Sequence, residues 1–235
     1  MQYELVVFDI AGTTVFDGDA VGTCLRRALE HATGLPFARD EVNAVMGIAK
    51  PVAIKALLDG RVGGSASAAQ VDAVYQDFEE RMLAHYRASA DVREVDGASA
   101  VFAELRERGL KVALDTGFAR PVTDALLARL GWTVPGVVDA TVTSDDVAAG
   151  RPAPDMVYRA MRLTGVGDAG RVIKVGDTPS DLHEGTNAGC GMVVGVTSGS
   201  HTADELRPHP HTVLIDSIRD LTALLEPVFA GYRID

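Results

Sequence analysis

Apolar residues fall into two patterns along the chain: short continuous runs that end at Asp, Gly or Thr, and longer segments with apolar positions three and four residues apart. The run Glu4–Phe8 ends at Asp9 and is followed by Gly12, which reads as a buried strand opening into a loop. The pattern returns at Lys111–Asp115 before Thr116-Gly117, at Arg171–Val175 before Gly176-Asp177, and at Gly191–Val196, with a weaker version at Val137–Val142. Helical spacing covers Ala98–Arg108, Arg120–Leu130, Asp155–Leu163 and Leu182–Ala188. Buried strands alternating with helices predict an α/β fold with a Rossmann-like parallel sheet and right-handed crossovers. Such sheets bind ligands beyond the carboxyl ends of their strands, where Asp9, Thr116 and Asp177 would gather.

One stretch breaks the alternation. Between Gly18 and Ala88 only helical patterns occur, at Gly18–His31, Arg39–Val45, Pro51–Leu58 and Ala68–Arg87, with a Gly-rich loop at Gly60–Ser67. The pattern predicts a helical cap over residues 16–90, inserted after the first strand, and a core made of residues 1–15 and 91–235. Linkers near Thr14–Gly18 and Ser89–Glu94 would act as hinges.

Composition narrows the class. The chain has 235 residues, 47% of them hydrophobic, and a net charge of −11, which excludes the basic footprint of a nucleic-acid binder. An anionic small molecule stays compatible, because a few local cations and backbone dipoles outweigh a distant global charge. Cys24 and Cys190 have no metal-type spacing, and the six histidines form none either. The opening MQYELVVFDI has no basic segment ahead of its apolar run, and no apolar stretch is long enough to span a membrane. These features predict a cytoplasmic protein with reduced cysteines.

Four motifs carry candidate chemistry. In FDIAGTT, Phe8 to Thr14, a strand-end carboxylate followed by a small residue and Gly suits an oxygen nucleophile beside anion-cradling amides at Gly12 and Thr13; it equally suits a turn Asp. In KVGDTPSDLHEG, Lys174 to Gly185, Asp177 and Asp181 suit a hard cation, and Asp181 also suits a helix cap. Thr116-Gly117 offers a hydroxyl and amides to a phosphoryl oxygen, or is a common turn. Arg151, in AGRPAPD, offers a fixed cation to a phosphoryl group and to Asp9, or is a surface residue before a Pro-initiated helix.

Taken in order, these four motifs resemble the haloacid dehalogenase superfamily through nearly the whole core. The resemblance implies that Asp9 is a nucleophile forming an aspartyl-phosphate, with Thr116 and Arg151 on the phosphoryl group. It implies Mg2+ held by Asp9, Asp177 and the Ala11 carbonyl, with Asp181 supporting the site. Phosphatases of this superfamily usually read D-x-D at the first motif, and here the second acid is Ala11. Ester cleavage without that acid should lose roughly 100- to 10,000-fold.

The D-x-A-G-T variant, Arg151 in place of the more usual Lys, and the segment Asp145–Met161 are similar to the phosphonatases. Members of that family carry a cap lysine after Met-Gly, and this chain reads Met46-Gly47-Ile48-Ala49-Lys50. The resemblance implies a Schiff base between Lys50 and a carbonyl phosphonate, whose enamine leaving group needs no acid at position 11. Lys50 alone would pass for a solvated lysine. Two family positions differ: a histidine after the lysine is replaced within Pro51-Val52-Ala53, and a tyrosine after Thr-Gly by Phe118. The expected substrate is thus a small phosphonate or phosphorylated molecule, with a phosphoglycolate-phosphatase-type esterase as the alternative. A dehalogenase proper is disfavoured by the retained metal motif, and an inactive binding protein by the retained Asp9, Thr116, Arg151 and Asp177. A homodimer through the caps is compatible with the resemblance.

Overall fold

The computed structural model describes residues 2–61 and 64–231; Val62 and Gly63 of the expected Gly60–Ser67 loop lie outside them. The strands are β1 (Leu5–Asp9), β2 (Val15–Phe16), β3 (Arg93–Glu94), β4 (Lys111–Thr116), β5 (Ala140–Thr143), β6 (Val172–Gly176), β7 (Met192–Val196) and β8 (Val213–Ile215). The helices are α1 (Ala20–Thr33), α2 (Arg39–Asn43), α3 (Lys50–Asp59), α4 (Ala68–Ala88), α5 (Ala98–Glu107), α6 (Arg120–Leu130), α7 (Asp155–Thr164), α8 (Pro179–Ala188), α9 (Ala203–Leu206) and α10 (Asp220–Phe229).

Six strands form one parallel sheet in the order β5-β4-β1-β6-β7-β8. The chain builds outward from β1 to β4 and β5, then returns to β6 on the other side, so the order reverses at β1. The carboxyl end of β1 is therefore a ligand-binding crevice by topology alone. Every residue of β1 and β6 is buried, as expected for strands covered on both faces. Alternation divides β1 between two cores. Val6 and Phe8 pack with Phe102 and Trp132 on one face, and Leu5 and Val7 with Met156, Val157 and Ala160 on the other. Phe8, Phe102 and Trp132 form a ladder with 5.2 Å between successive ring centroids.

The expected strand over Val137–Val142 begins later. The amides of Val137 and Val138 both turn back to the Thr133 carbonyl, at 2.8 and 3.2 Å, and sheet pairing starts only when Asp139 N–H reaches the Val112 carbonyl. Three short elements carry too little periodicity to stand out in the sequence: the antiparallel pair β2–β3, the edge strand β8, and the single-turn α9. Helix α10 was also not anticipated; it packs Leu221, Leu225 and Val228 into the core.

Between β2 and β3 the chain is helical among the described residues. Helix α4 starts at a reciprocal Ser67–Gln70 cap and buries Val71, Val74, Phe78, Met82 and Tyr86, a three-and-four stripe. Full burial of each such side chain contributes about 1.5–3 kcal/mol. This stripe seats α4 against α1 and α3 and against the core helix α6. Among the described residues no helix is long and apolar enough to cross a membrane.

Candidate active site

Asp9 ends β1, and the chain turns tightly after it. The amides of Thr14 and Val15 return to the Ile10 carbonyl, and Thr14 Oγ1 donates to the Asp9 carbonyl at 3.0 Å. Gly12 sits in the turn at φ +95°, and a Cβ there would lie 2.3 Å from Asp177 Oδ2, so the residue must be glycine on both grounds. The turn brings Asp9 to within reach of Arg151, whose Nη1 donates to Asp9 Oδ1 at 2.6 Å.

Arg151 is buried and anchors a network of carboxylates. Its Nε donates to Glu184 Oε2 at 3.0 Å, its Nη2 to the Asp115 carbonyl and carboxylate, and its Nη1 lies 3.0 Å from Asp181 Oδ1. Lys174, also buried, pairs with Asp115, with Glu184 at 2.9 Å and with Asp181 at 3.3 Å. Burial and Arg151 both oppose charge on Lys174, yet the surrounding carboxylates hold its ammonium above its ordinary range. Burial, then the neighbouring Asp115 carboxylate, pushes Glu184 up to about 8. Arg151 and Lys174 overcome the burial of Asp115 and keep that carboxyl low. The carboxylates of Asp115, Asp181 and Glu184 thereby fix the Arg151 guanidinium beside Asp9 in one position.

Asp177 follows β6. Its Oδ1 accepts from Thr13 Oγ1 at 3.0 Å, and its Oδ2 accepts from the Ser200 amide and hydroxyl at 2.7 and 2.6 Å. Asp181 closes a reciprocal cap on α8: Oδ2 accepts from the Thr178 amide and hydroxyl, which leaves Oδ1 on the network side. The helix-cap reading of Asp181 thus describes this residue.

Carboxylate oxygens of Asp9, Asp177 and Asp181 lie within 4.8 Å of one another. Burial drives Asp9 well above the usual carboxylate range, with Asp181 and Asp177 adding to it against Arg151. Burial and Asp181 likewise raise Asp177. Asp181 Oδ1 has no aligned hydrogen-bond donor despite being buried. A buried, all-oxygen, electron-rich set of this kind fits a hard divalent cation such as Mg2+, which would relieve the repulsion. The second acidic trio, Asp115, Asp181 and Glu184, already surrounds the Lys174 ammonium.

A cavity of about 580 Å³ opens beyond these strand ends. Asp9, Ala11, Gly12, Thr116, Gly117 and Arg151 line it from the core side, and Asp17, Met46 and Lys50 from the helical segment. The loop before α3 lies directly on the core. Gly47, at φ +82°, leaves room for Thr178 Oγ1, which a Cβ would approach to 2.2 Å, and Ser180 Oγ donates to the Met46 carbonyl at 3.4 Å. This contact aims the first residue of α3, Lys50, into the cavity. Lys50 is 3% exposed, its Nζ is 5.8 Å from the Phe118 ring centroid, and it makes a long 3.5 Å contact to the Ile48 carbonyl. Burial pulls its pKa down to about 8, with Asp9 opposing and Arg151 adding to the fall.

Of the residues singled out from the sequence, Asp9, Ala11, Gly12, Thr116, Gly117, Arg151 and Lys50 border one cavity. Thr13 does not border it; its hydroxyl orients Asp177 instead. Asp177 and Asp181 sit behind the cavity wall. Sequence reasoning missed Asp115, Lys174, Glu184 and Ser200. Asp115 and Lys174 did leave a signal, as charged residues inside runs expected to be buried.

The chain is similar to known proteins. A family model for haloacid dehalogenase-like hydrolases matches residues 3–189. The phosphonoacetaldehyde hydrolase of Bacillus cereus (strain AH187) is 36% identical over 212 residues, covering 85% of this chain and 78% of that relative. A phosphonoacetaldehyde hydrolase-like protein from Oleispira antarctica superposes with a TM-score of 0.82 at 23% identity, covering 98% of this chain and 92% of that one. A structure titled as a predicted phosphoglycolate phosphatase from Haemophilus somnus 129PT has a TM-score of 0.80 at 17% identity, over 96% and 99% of the two chains. A parallel sheet reversing at a strand-end aspartate, an arginine locked against it and this match across most of the chain make the protein a member of the haloacid dehalogenase-like hydrolases.

Proposed function

We propose that the chain is a Mg2+-dependent hydrolase that cleaves the carbon–phosphorus bond of a small carbonyl phosphonate, of which phosphonoacetaldehyde is the type. The observation that carries this reading is the pairing of Lys50 with Asp9 across one cavity in which position 11 is alanine. A buried lysine with its pKa drawn toward neutrality is an amine able to attack a carbonyl. Similarity to phosphonoacetaldehyde hydrolases at 35–36% identity supports the same chemistry.

Lys50 Nζ would attack the carbonyl carbon and expel water, giving a protonated imine. An Asp9 carboxylate oxygen would then attack phosphorus. The carbon–phosphorus bond breaks, and its electron pair moves through the adjacent carbon to the imine nitrogen, leaving an enamine on Lys50. Protonation at carbon and hydrolysis release the aldehyde and the free lysine. Water attacks phosphorus of the aspartyl-phosphate, releasing phosphate and Asp9. Arg151 and the Thr116 hydroxyl would hold the phosphoryl oxygens. Mg2+ at Asp9, Asp177 and Asp181 would offset the charge of phosphoryl group and nucleophile together. Residues 16–90 would act as a cap on the hinges Thr14–Gly18 and Ser89–Glu94, closing to exclude water while phosphorus is transferred.

A panel of phosphonates, phosphate esters and haloacids, assayed with Mg2+ on the wild type and on Lys50→Ala, tests the reading. Phosphonate cleavage lost in Lys50→Ala, with any ester hydrolysis retained, supports it. Ester hydrolysis alone, unchanged by Lys50→Ala, replaces it with a phosphomonoesterase of the phosphoglycolate type.

A further inference from the structure

Asp17 lines the same cavity and has no part in the steps above. It is 7% exposed. Its Oδ1 accepts from the Ala20 amide at 3.3 Å and its Oδ2 from the Tyr86 hydroxyl at 3.0 Å. The other cavity carboxylates are matched by cations: Asp9 by Arg151, and Asp19 by Arg39 at 3.4 Å. Among the described residues Asp17 has no ion-pair partner. Both oxygens are engaged, and because a carboxylate accepts up to about four hydrogen bonds each can take a further donor.

We propose that Asp17 is a second recognition point of this cavity, taking a hydroxyl or ammonium donor carried by the organic part of the substrate. Burial raises the Asp17 carboxyl, and the Tyr86 hydroxyl and Ala20 amide work against that rise. Burial, followed by Asp17 itself, holds the Tyr86 phenol protonated, so that hydroxyl donates to the carboxylate and favours its anion. His85 lowers the Asp17 carboxyl and Asp19 raises it by smaller amounts. Size agrees. A seven-heavy-atom substrate such as phosphonoacetaldehyde is small beside a cavity of about 580 Å³. The substrate class is therefore a carbonyl phosphonate with a hydroxyl or amino substituent beyond the carbonyl.

The inference rests on the cavity being the substrate site, not on imine formation, and its test uses ligands without a carbonyl. Calorimetric titration with Mg2+ would compare propylphosphonate with 3-hydroxypropyl- and 3-aminopropylphosphonate, together with their two- and four-carbon homologues. In the wild type at least one donor-bearing ligand should bind about tenfold or more tightly than its alkyl counterpart, the worth of one hydrogen bond to a charged group. That ratio should fall to near one in Asp17→Ala. In Asp17→Asn, which keeps the shape and the acceptor, the ammonium preference should fall more than the hydroxyl preference. Ratios near one in the wild type at every length, or ratios untouched by both substitutions, overturn the proposal. Preferential binding without carbon–phosphorus cleavage supports it and defeats only the imine chemistry. Absence of any phosphonate binding defeats both.

Discussion

Replacing Lys50 by methionine should make the protein more stable and disable it at once. The side chain is 3% exposed, and burial brings its pKa from 10.5 to about 8. At ~1.4 kcal/mol per tenfold change, that difference means the folded state accommodates the ammonium at a cost of about 3 kcal/mol relative to the unfolded chain. Because the folded pKa is depressed, the cost is present in full below about pH 8, fades between about pH 8 and 10.5, and is gone above that range. Methionine matches the length of the lysine without its charge, so Lys50→Met should gain up to about 3 kcal/mol at pH 7. For a chain of this size the gain corresponds to a rise in Tm of roughly 6–12 °C. The same shift leaves about one amine in ten neutral at pH 7 instead of about one in three thousand, so kcat/KM for a carbonyl phosphonate should climb with pH and level off above about 8. Urea denaturation of wild type and Lys50→Met at pH 7, 9 and 10.5 checks the stability half. Equal stabilities at pH 7, or a gain that does not shrink toward pH 10.5, would refute the claim that Lys50 is held desolvated.

Other outcomes follow from the network behind the cavity. Mg2+ at about a hundredfold over its dissociation constant should stabilise the wild type by about 2.7 kcal/mol; a Tm rise as large in Asp177→Ala would remove Asp177 from the metal site. Ala11→Asp restores an acid where Ala11 now lines the cavity, and phosphate-ester turnover should rise by about 100- to 10,000-fold; no rise would mean that position 11 does not limit ester cleavage. Lys174→Met leaves Asp115 and Glu184 buried with Arg151 as their one remaining cation, and denaturation should show a loss of about 3–5 kcal/mol; a loss under 1 kcal/mol would mean the ammonium contributes little.

The sheet was legible because parallel strands buried on both faces read as continuous apolar runs, and four of them ended at Asp, Thr or Gly near the ligand crevice. Helix α6 was placed residue for residue, since Pro at its second position and Gly131 after its end mark both termini. The edge strand β8 was not legible: it is three residues long and only partly buried, so neither length nor periodicity separates it from loop. In the site, Arg151 and Asp177 stood out because each lies beside a Gly or Pro that bends the chain, and Asp9 because it ends an apolar run three residues before Gly12. The pairing of Asp115 with Lys174 did not, because those residues are 59 positions apart and meet only when β4 and β6 flank β1. The bond from the Thr13 hydroxyl to Asp177 is hidden for a similar reason, since the two residues are 164 positions apart. Asp17 was passed over as part of a hinge, since nothing local reveals that Tyr86 and the cavity wall enclose it.

Borohydride trapping tests the central claim most directly. Wild type incubated with phosphonoacetaldehyde and Mg2+, reduced with borohydride and digested should carry a stable alkyl adduct on the Lys50 peptide, with activity lost in proportion to labelling. Asp9→Asn should still be trapped at Lys50, with phosphonate retained on the adduct, because it forms the imine but cannot take the phosphoryl group. An unmodified Lys50 in an enzyme that still releases phosphate from phosphonoacetaldehyde would contradict the account.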